Sequence, residues 1–429
     1  MDVKFGLKWY KCDFHLHTVG SECFEDKTIT AKQWVEEAIK KNLDCIAITD
    51  HNTGVSIDEI KKEAENKSLI IFPAVEITCD TSKIHLLILF DVDKSSEDVN
   101  DFLIKCDIDR SKFGKQDAYT SKSVLEVAKI ANANGCLIIP AHIDEFNGLG
   151  SLSHDILNEF LNLPYINAVQ FVHEKFLESS LVINGNEELK NYIDLYYDSN
   201  IDYTIIKDWY NPINKAKELK KALLTFSDNP HSEKSSHHGL WGIGNKYSWI
   251  KMEQKPSLES LRQSFLLPEL RVRHCYENEK IPYNLPNLWI KSIIINHTEI
   301  TQKGTSLELS FSPQLTTIIG GRGSGKSSIL RFLRGALLKS IDSTLDSIKE
   351  DQDNFYKKKD RNGKGVLTSD SILEIHFMRN GIEYKIRASN LIANQEVEIS
   401  KLNGDNWEIV SDDGFIEFFE FEHYSQKQI

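Results

Sequence analysis

Histidines and carboxylates gather at a few points of this sequence in a pattern that could support metal chemistry. DFHLHT (13–18) sets His15 and His17 one residue apart, a candidate pair of ligands for one ion. His51 lies in TDHN, Glu76 in VEIT, His85 in KIHLLILF, His142 in PAH, and Asp228 and His231 in SDNPH. Imidazole and carboxylate together suit Zn, Mn or Fe, and so many ligands exceed the three or four that one ion holds. The surplus points to two or three divalent metals. Water on such an ion loses a proton near pH ~7 instead of ~15.7, and two ions about 4 Å apart can hold the attacking and leaving oxygens of a phosphate ester. Asp50, beside His51, is read as a group that orients its neighbour or accepts a proton.

A second constellation, GGRGSGKSS at 320–328, fits G-x-x-x-x-G-K-[ST]. Gly320, Gly321, Gly323 and Gly325 would shape a loop whose amides hold nucleotide phosphates. Lys326 would reach the terminal phosphates and Ser327 would ligate magnesium, with Ser328 following at the start of a helix. The implied ligand is ATP with Mg.

These groups need elements that bring them together. Between Trp9 and Arg273, short β-branched runs alternate with helical stretches such as AKQWVEEAIKK (31–41) and SVLEVAKIANA (123–133). The strands expected are WYKCDF (9–14), CIAIT (45–49), LIIFPAVEI (69–77), IHLLILF (84–90), CLIIPA (136–141), INAVQFV (166–172), YTIIK (203–207) and ALLTFS (222–227). Helix between strands implies parallel pairing, and seven or eight strands in roughly 270 residues favour a closed (β/α) barrel over an open doubly wound sheet. In a barrel, functional groups project from the carboxyl ends of strands, where His15, His17, His51, Glu76, His142, Asp228 and His231 stand. His85 begins its own strand, and this geometry does not nominate it. His173, in QFVHE, is read as a barrel-mouth residue that touches no metal, and Cys12, Cys45 and Cys136 as small core residues.

YENEKIPYNLPN (276–287) reads as a linker, giving a barrel over 1–275, a linker over 276–288 and a second domain over 289–429. In the second, LWIKSIIIN, SLELSFS and LTTIIG are expected strands, SILRFLRGALL a helix, and 340–365 a mobile polar insertion. Two strand pairs around Asn-Gly turns follow.

Composition bounds the partners. The 429 residues are 27% charged and 40% hydrophobic, as in a globular protein of two or three domains. A net charge of -13 repels nucleic acid except where basic patches or metal ions compensate, and KKKDR (357–361) is a candidate basic track. Seven scattered cysteines without C-x-x-C spacing suit free thiols in a reducing compartment. The N-terminus does not read as a signal peptide, and IHLLILF, the longest strongly apolar run, is too short to span a bilayer. The expectation is a cytoplasmic protein with no membrane partner.

In order along residues 10 to 275, DFHLHT, TDHN, VEIT, the IHLLIL histidine, PAH and SDNPH resemble the motifs of the PHP (polymerase and histidinol phosphatase) phosphoesterases. The resemblance implies a distorted barrel of seven β/α units with up to three metals. His15, His17, Glu76 and Asp228 would hold the first, and Glu76 would bridge to a second on His85 and His142. Glu22, His51 and His231 would hold the third. Two departures stand out: the family usually has Asp at Glu22, and its final Asp-x-His is lengthened here by Asn229 and Pro230. His237 or His238 could substitute for His231.

The second domain resembles the N-terminal lobe of ABC-type ATPases of the SMC and Rad50 kind, an α/β P-loop lobe with antiparallel β hairpins. In HYSQKQI, Gln426, or alternatively Gln428, would sense magnesium and the attacking water. The acidic Walker B strand end and LSGGQ-like signature do not follow, so this chain is expected to be the front of a longer protein that dimerises through the ATPase lobe. Barrel followed by lobe resembles the TrlF-type PHP and AAA-like ATPase proteins. The resemblance implies a metal-dependent nuclease coupled to ATP binding, in DNA repair or antiphage defence. The alternatives are a small-molecule phosphatase regulated by ATP and a non-catalytic ATP-dependent assembly module.

Overall fold

The computed structural model describes residues 6–115, 117–283, 285–301, 305–338 and 346–410. They form two compact units, one of residues 7–283 and one of Gly6 with the described residues after 283.

The first unit begins β1 (Lys8–Leu16), α1 (Ala31–Lys40), β2 (Cys45–Ile48), α2 (Ile57–Ala64), β3 (Ile70–Cys79) and β4 (Ile84–Leu89). It continues α3 (Ser96–Lys105), α4 (Val124–Ala133), β5 (Leu137–Pro140), α5 (His154–Asn162), β6 (Ala168–Gln170) and α6 (Glu187–Tyr197). It ends α7 (Tyr203–Glu218), β7 (Ala222–Leu224), β8 (Ser248–Met252), α8 (Leu258–Phe265), α9 (Pro268–Arg271) and β9 (Val272–His274). Helix starts are set locally: Thr30 with Gln33, and Ser123 with Glu126, exchange side-chain and backbone bonds that satisfy the first free amides of α1 and α4.

The strands form a curled sheet in the order β5-β4-β3-β2-β1-β8-β9, and β6 and β7 form a separate parallel pair. That pair lies beside β5 on one side and β9 on the other. Ile143 N donates to Gln170 O, and Thr225 N to Ser248 Oγ, so hydrogen bonds bridge the seams. The result is a distorted (β/α) barrel. Its pairing is mixed rather than parallel throughout: β1–β2, β2–β3 and β6–β7 are parallel, while β3–β4, β4–β5, β1–β8 and β8–β9 are antiparallel. The β3–β4 link is a short turn, and a tight turn can only return the chain antiparallel.

Residues of alternate parity separate two cores. Cys12, Phe14, Cys45, Ala47, Phe72, Ala74, Leu87, Leu89, Leu224 and Phe226 fill one cluster. Ile46, Ile48, Ile71, Val75, Leu86 and Ile88 join the other, with residues of the surrounding helices such as Trp34, Val99 and Val127. YTIIK is not a strand. It opens α7, capped by Asp202, because Ile206, Trp209, Ile213 and Ala216 are buried at helical spacing, and that longer period overrides the β-branched run.

In the second unit the elements are β10 (Leu288–Asn296), β11 (Ser306–Ser310), α10 (Lys326–Ala336), α11 (Asp346–Phe355), β12 (Ile372–Arg379), β13 (Ile382–Ser389), β14 (Glu396–Asn403) and β15 (Asn406–Ile409). The strands make an antiparallel sheet ordered β11-β10-β12-β13-β14-β15. Ile329, Phe332, Leu333 and Ala336 of α10 share a core with Ile293, Ile295, Leu373, Ile375 and Phe377. Asn380 and Gly381, both at positive φ, turn β12 into β13 as a two-residue hairpin requires.

Two expectations here are corrected. LTTIIG is not part of the sheet: Leu315 is 77% and Ile319 92% exposed, and no strand among the described residues pairs with them. Part of the polar stretch 340–365 is the helix α11, fastened to α10 by a Phe355–Phe332 ring contact at 5.0 Å and by Gln352 Nε2 donating to Arg331 O at 2.9 Å.

Candidate metal centre

The inward rows of the barrel continue into the site. Phe72 and Ala74 lead to Glu76, Ala47 and Thr49 to His51, Leu224 and Phe226 to Asp228, and Leu89 and Leu87 to His85, each two residues on. On β1 the phase must change, and it does: the register with β2 shifts between Asp13 and Leu16. This bulge turns His15 and His17 to the face of Cys12 and Phe14, while Leu16 joins the outer core. His85 reaches the same end of the barrel although it begins its strand, because β4 runs antiparallel to β3 and pairs His85 with Thr78. His142 and Asp228 hold left-handed backbone, φ 29° and 50°, a strain of about 1–3 kcal/mol each that the surrounding structure must sustain.

Glu76 is the centre. Its Oε2 lies 3.3 Å from the Nε2 atoms of His15 and His17 and 3.1 Å from His51 Nδ1. Its Oε1 lies 2.7 Å from His85 Nδ1 and 3.5 Å from His142 Nε2. Asp228 Oδ1 lies 3.2 Å from His15 Nε2 and 3.1 Å from His17 Nε2. Both Glu76 oxygens, Asp228 Oδ1, His85 Nδ1 and His142 Nδ1 are sealed from solvent with no hydrogen-bond partner. Each such orphan costs about 1–3 kcal/mol, and carboxylate and imidazole donors converging without hydrogen-bond partners fit divalent cations. Burial alone would raise the Glu76 carboxyl, but His85, His51 and His15 hold it well below the usual range. Burial pulls His15 down, yet Asp228 and Glu76 outweigh it and hold the ring above its ordinary value. His142, by the same contest with Glu76, is raised to about 9.

A supporting layer fixes the rings. Gln170 Oε1 lies 2.8 Å from His15 Nδ1 and so takes its proton, directing Nε2 inward. Ser21 Oγ donates to Asp50 at 2.7 Å, and receives His51 N at 2.9 Å and His17 Nδ1 at 3.2 Å. Asp50 also accepts from Thr18 N at 2.7 Å. It therefore reaches both His17 and the backbone of His51 through Ser21. Asn229 receives His17 N at 2.6 Å and donates to His17 O and Gly239 O, both at 3.0 Å. Sequence reasoning missed Gln170, Ser21 and Asn229, whose types carry no metal signal.

His15, His17, His51, Glu76, His85, His142 and Asp228 thus converge. Glu22 and His231 do not. The Glu22 side chain is exposed and pairs with Lys115 at 3.4 Å, and His231 is exposed. His237 is exposed beside Glu25, but His238 stacks on His17 with ring centroids 3.9 Å apart. Cys23, unremarked in sequence, lies with His17, His51 and His238. His173 is buried in a cage of Phe176, Tyr192, Tyr196, Tyr197 and Trp209, away from these groups, with Nε2 3.1 Å from Tyr197 Oη.

In the second unit, Gly323 and Gly325 take positive φ and Lys326 begins α10, its ammonium donating to Gly320 O and Gly321 O. Ser327 and Ser328 fall in the first turn of α10. Gln426 and Gln428 lie outside the described residues. Lys357 pairs with Asp360 and Lys359 with Glu299, so the KKKDR track is partly neutralised.

A curled β/α barrel whose inward rows end in histidines and carboxylates defines the first unit as a metal-binding barrel. Residues 13–219 match the family of the PHP domain, and residues 303–428 match an AAA domain. The chain is similar to the solved structure of the lesion-specific endonuclease PfuEndoQ from Pyrococcus furiosus, at 14% identity and TM-score 0.39, over 60% of this chain and 56% of that one. It is also similar to a two-domain protein from Bacteroides vulgatus that contains a predicted PHP-like metal-dependent phosphoesterase, at 13% identity and TM-score 0.38, over 73% of this chain and 86% of that one. No curated protein matches the sequence. No helix of the described residues is long and apolar enough to cross a membrane.

Proposed function

We propose that the first unit is a multi-metal phosphoesterase that hydrolyses nucleic-acid phosphodiesters, coupled to ATP binding by the second. The observation that carries the reading is Glu76, a buried carboxylate with imidazoles on both oxygens and no hydrogen bond. His15, His17 and Asp228 would hold one ion, His85 and His142 another, with Glu76 shared between them. When bound, such ions supply an activated water and positive charge for the phosphoryl oxygens. The chain's own part is placement: Gln170 and Ser21 fix the ring orientations of His15 and His17, so that the lone pairs rather than the N–H groups face inward.

Phe146 favours a polynucleotide over a small ester. It lies four residues past His142, and the residue is 54% exposed while its ring rests edge-on against Trp209 at 4.8 Å and Tyr197 at 5.6 Å. A supported, open aromatic can stack a base, worth about 1–3 kcal/mol. The test incubates the full chain with manganese and either labelled oligonucleotides or a panel of phosphate monoesters. Cleavage of oligonucleotides, lost when His15 and His17 are both replaced by Ala, is expected; cleavage confined to monoesters rejects the nuclease reading. Lys326→Ala should abolish binding of a fluorescent ATP analogue, and unchanged binding would remove the P-loop from the account.

A further inference from the structure

Two open aromatic residues flank His85. A row of backbone contacts runs across this end of the barrel: Thr120 N donates to Thr78 O at 3.0 Å, Thr78 pairs with His85, and His85 N donates to Asn147 O at 3.3 Å. At about 4.8 Å per step the row spans ~14 Å. Tyr119 precedes Thr120 at one end and Phe146 precedes Asn147 at the other, and the two residues are 41% and 54% exposed. Asn52 Nδ2 donates to Ala118 O at 3.0 Å, which fastens the Tyr119 segment beside His51. Both rings are braced. Phe146 rests on Trp209 and Tyr197, and the Lys83 ammonium sits 3.0 Å from the centre of the Tyr119 ring. Lys83 stands two residues, about 7 Å of strand, before His85, and holds left-handed backbone at φ 58°. Neighbouring lysines are occupied, Lys115 by Glu22 at 3.4 Å and Lys122 by Asp107 at 2.6 Å. Among the described residues no carboxylate pairs with Lys83.

We propose that Tyr119 and Phe146 are paired stacking platforms that select single-stranded nucleic acid, with Lys83 as the cation that meets its backbone. A ring braced on one side and open on the other offers its free face to a base at little cost in side-chain entropy. In a duplex the bases are already stacked on one another, so only an unpaired strand can present base faces to two rings set either side of one histidine. Lys83 serves both partners: it holds the Tyr119 ring, and its unpaired charge is free to neutralise a phosphate next to the one at the Glu76 centre. The inference rests on the phosphodiesterase reading and adds to it the form of the substrate.

Strandedness and stacking are read in one assay. The full chain with manganese is given a labelled oligonucleotide either alone or annealed to its complement. The single strand should be cut with the lower KM. Tyr119→Ala should raise that KM about 5- to 150-fold and Tyr119→Phe should restore it, because the ring face and not the hydroxyl is required. Lys83→Gln should lower the slope of log KM against log salt by about 0.7, the loss of one contact to a single strand, and an unchanged slope removes Lys83 from the site. A duplex cut with an equal or lower KM, a Tyr119→Ala protein with the wild-type KM, or a Tyr119→Phe protein as impaired as Tyr119→Ala overturns the single-strand platform and leaves the phosphodiesterase reading standing. Failure to cut either form overturns both.

Discussion

Glu76→Gln is the most discriminating substitution because one side chain serves every imidazole nitrogen that converges on it. Its oxygens lie 2.7 to 3.5 Å from five histidines, so an amide there replaces one of two shared oxygen donors with an N–H that cannot ligate an ion. Ligands held at 100 times their dissociation constant stabilise a protein by about 2.7 kcal/mol per site, or about 5 kcal/mol for two. For a unit of this size each kcal/mol moves the melting temperature by about 2 °C, giving a rise of about 10 °C on adding metal. Even residues that merely support a ligand cost about 10- to 100-fold in affinity when removed, so loss of the shared ligand itself should cost at least ~100-fold. At the same metal concentration each site is then about half filled, contributing about 0.4 kcal/mol, and the rise shrinks to about 2 °C. Scanning calorimetry of the metal-stripped full chain, with manganese added back, measures both. A metal-induced shift in Glu76→Gln equal to that of the wild type would refute the claim that Glu76 joins the ions.

Further outcomes follow from the surrounding residues. Gln170→Leu removes the acceptor that fixes the His15 tautomer and should weaken manganese binding about 10- to 100-fold by competition with a chelating dye. Phe146→Ala should raise KM for oligonucleotides about 5- to 150-fold and leave a small chromogenic phosphodiester unaffected, whereas equal effects on both would remove its stacking role. His173, buried and beside Lys246, has its imidazole lowered to about 3. Because the unfolded chain then binds the proton more readily, its contribution to stability is complete above pH ~6.5 and is lost progressively as pH falls from there to about 3. His173→Gln should flatten this acid limb in denaturant titrations, and an unchanged limb would place the acid sensitivity elsewhere.

Much of the site was legible because strand ends and inward rows coincide. Glu76, His51 and Asp228 lie at even spacing from apolar residues that fill the barrel, so a reader of period-2 patterns arrives at them directly. Three features were not legible for physical reasons. His85 belongs at the site only because β4 returns antiparallel, while alternating helices and strands suggested parallel order. Glu22 was named through the family resemblance and Cys23 was not, yet the turn that pairs residues 23–25 with His238 sets the thiol among His17, His51 and His238. His238 was named only as a substitute for His231, because it lies ten residues after Asp228, beyond the spacing a short motif specifies; the intervening loop is tied back by Asn229. In the helical region, YTIIK failed because local β propensity is weaker than the burial of Ile206, Trp209 and Ile213 on one helical face.

Charge explains how so acidic a chain could receive a polyanion. With neutral imidazoles, the Glu76 centre carries two carboxylates, so two divalent ions would leave a local charge of about +2. The groups around the centre are buried, so this charge acts through low-dielectric walls and stays strong at short range, while the -13 of the whole chain is spread over a screened surface. Protons play the same part in the absence of metal: His15 and His142 are both held above their ordinary values by the two carboxylates. Metal binding must then displace those protons, so manganese affinity should rise with pH, and manganese titration in weakly buffered solution should release acid. Binding that released no protons would mean that the ions sit apart from these histidines, and the convergence on Glu76 would serve only to hold the barrel together.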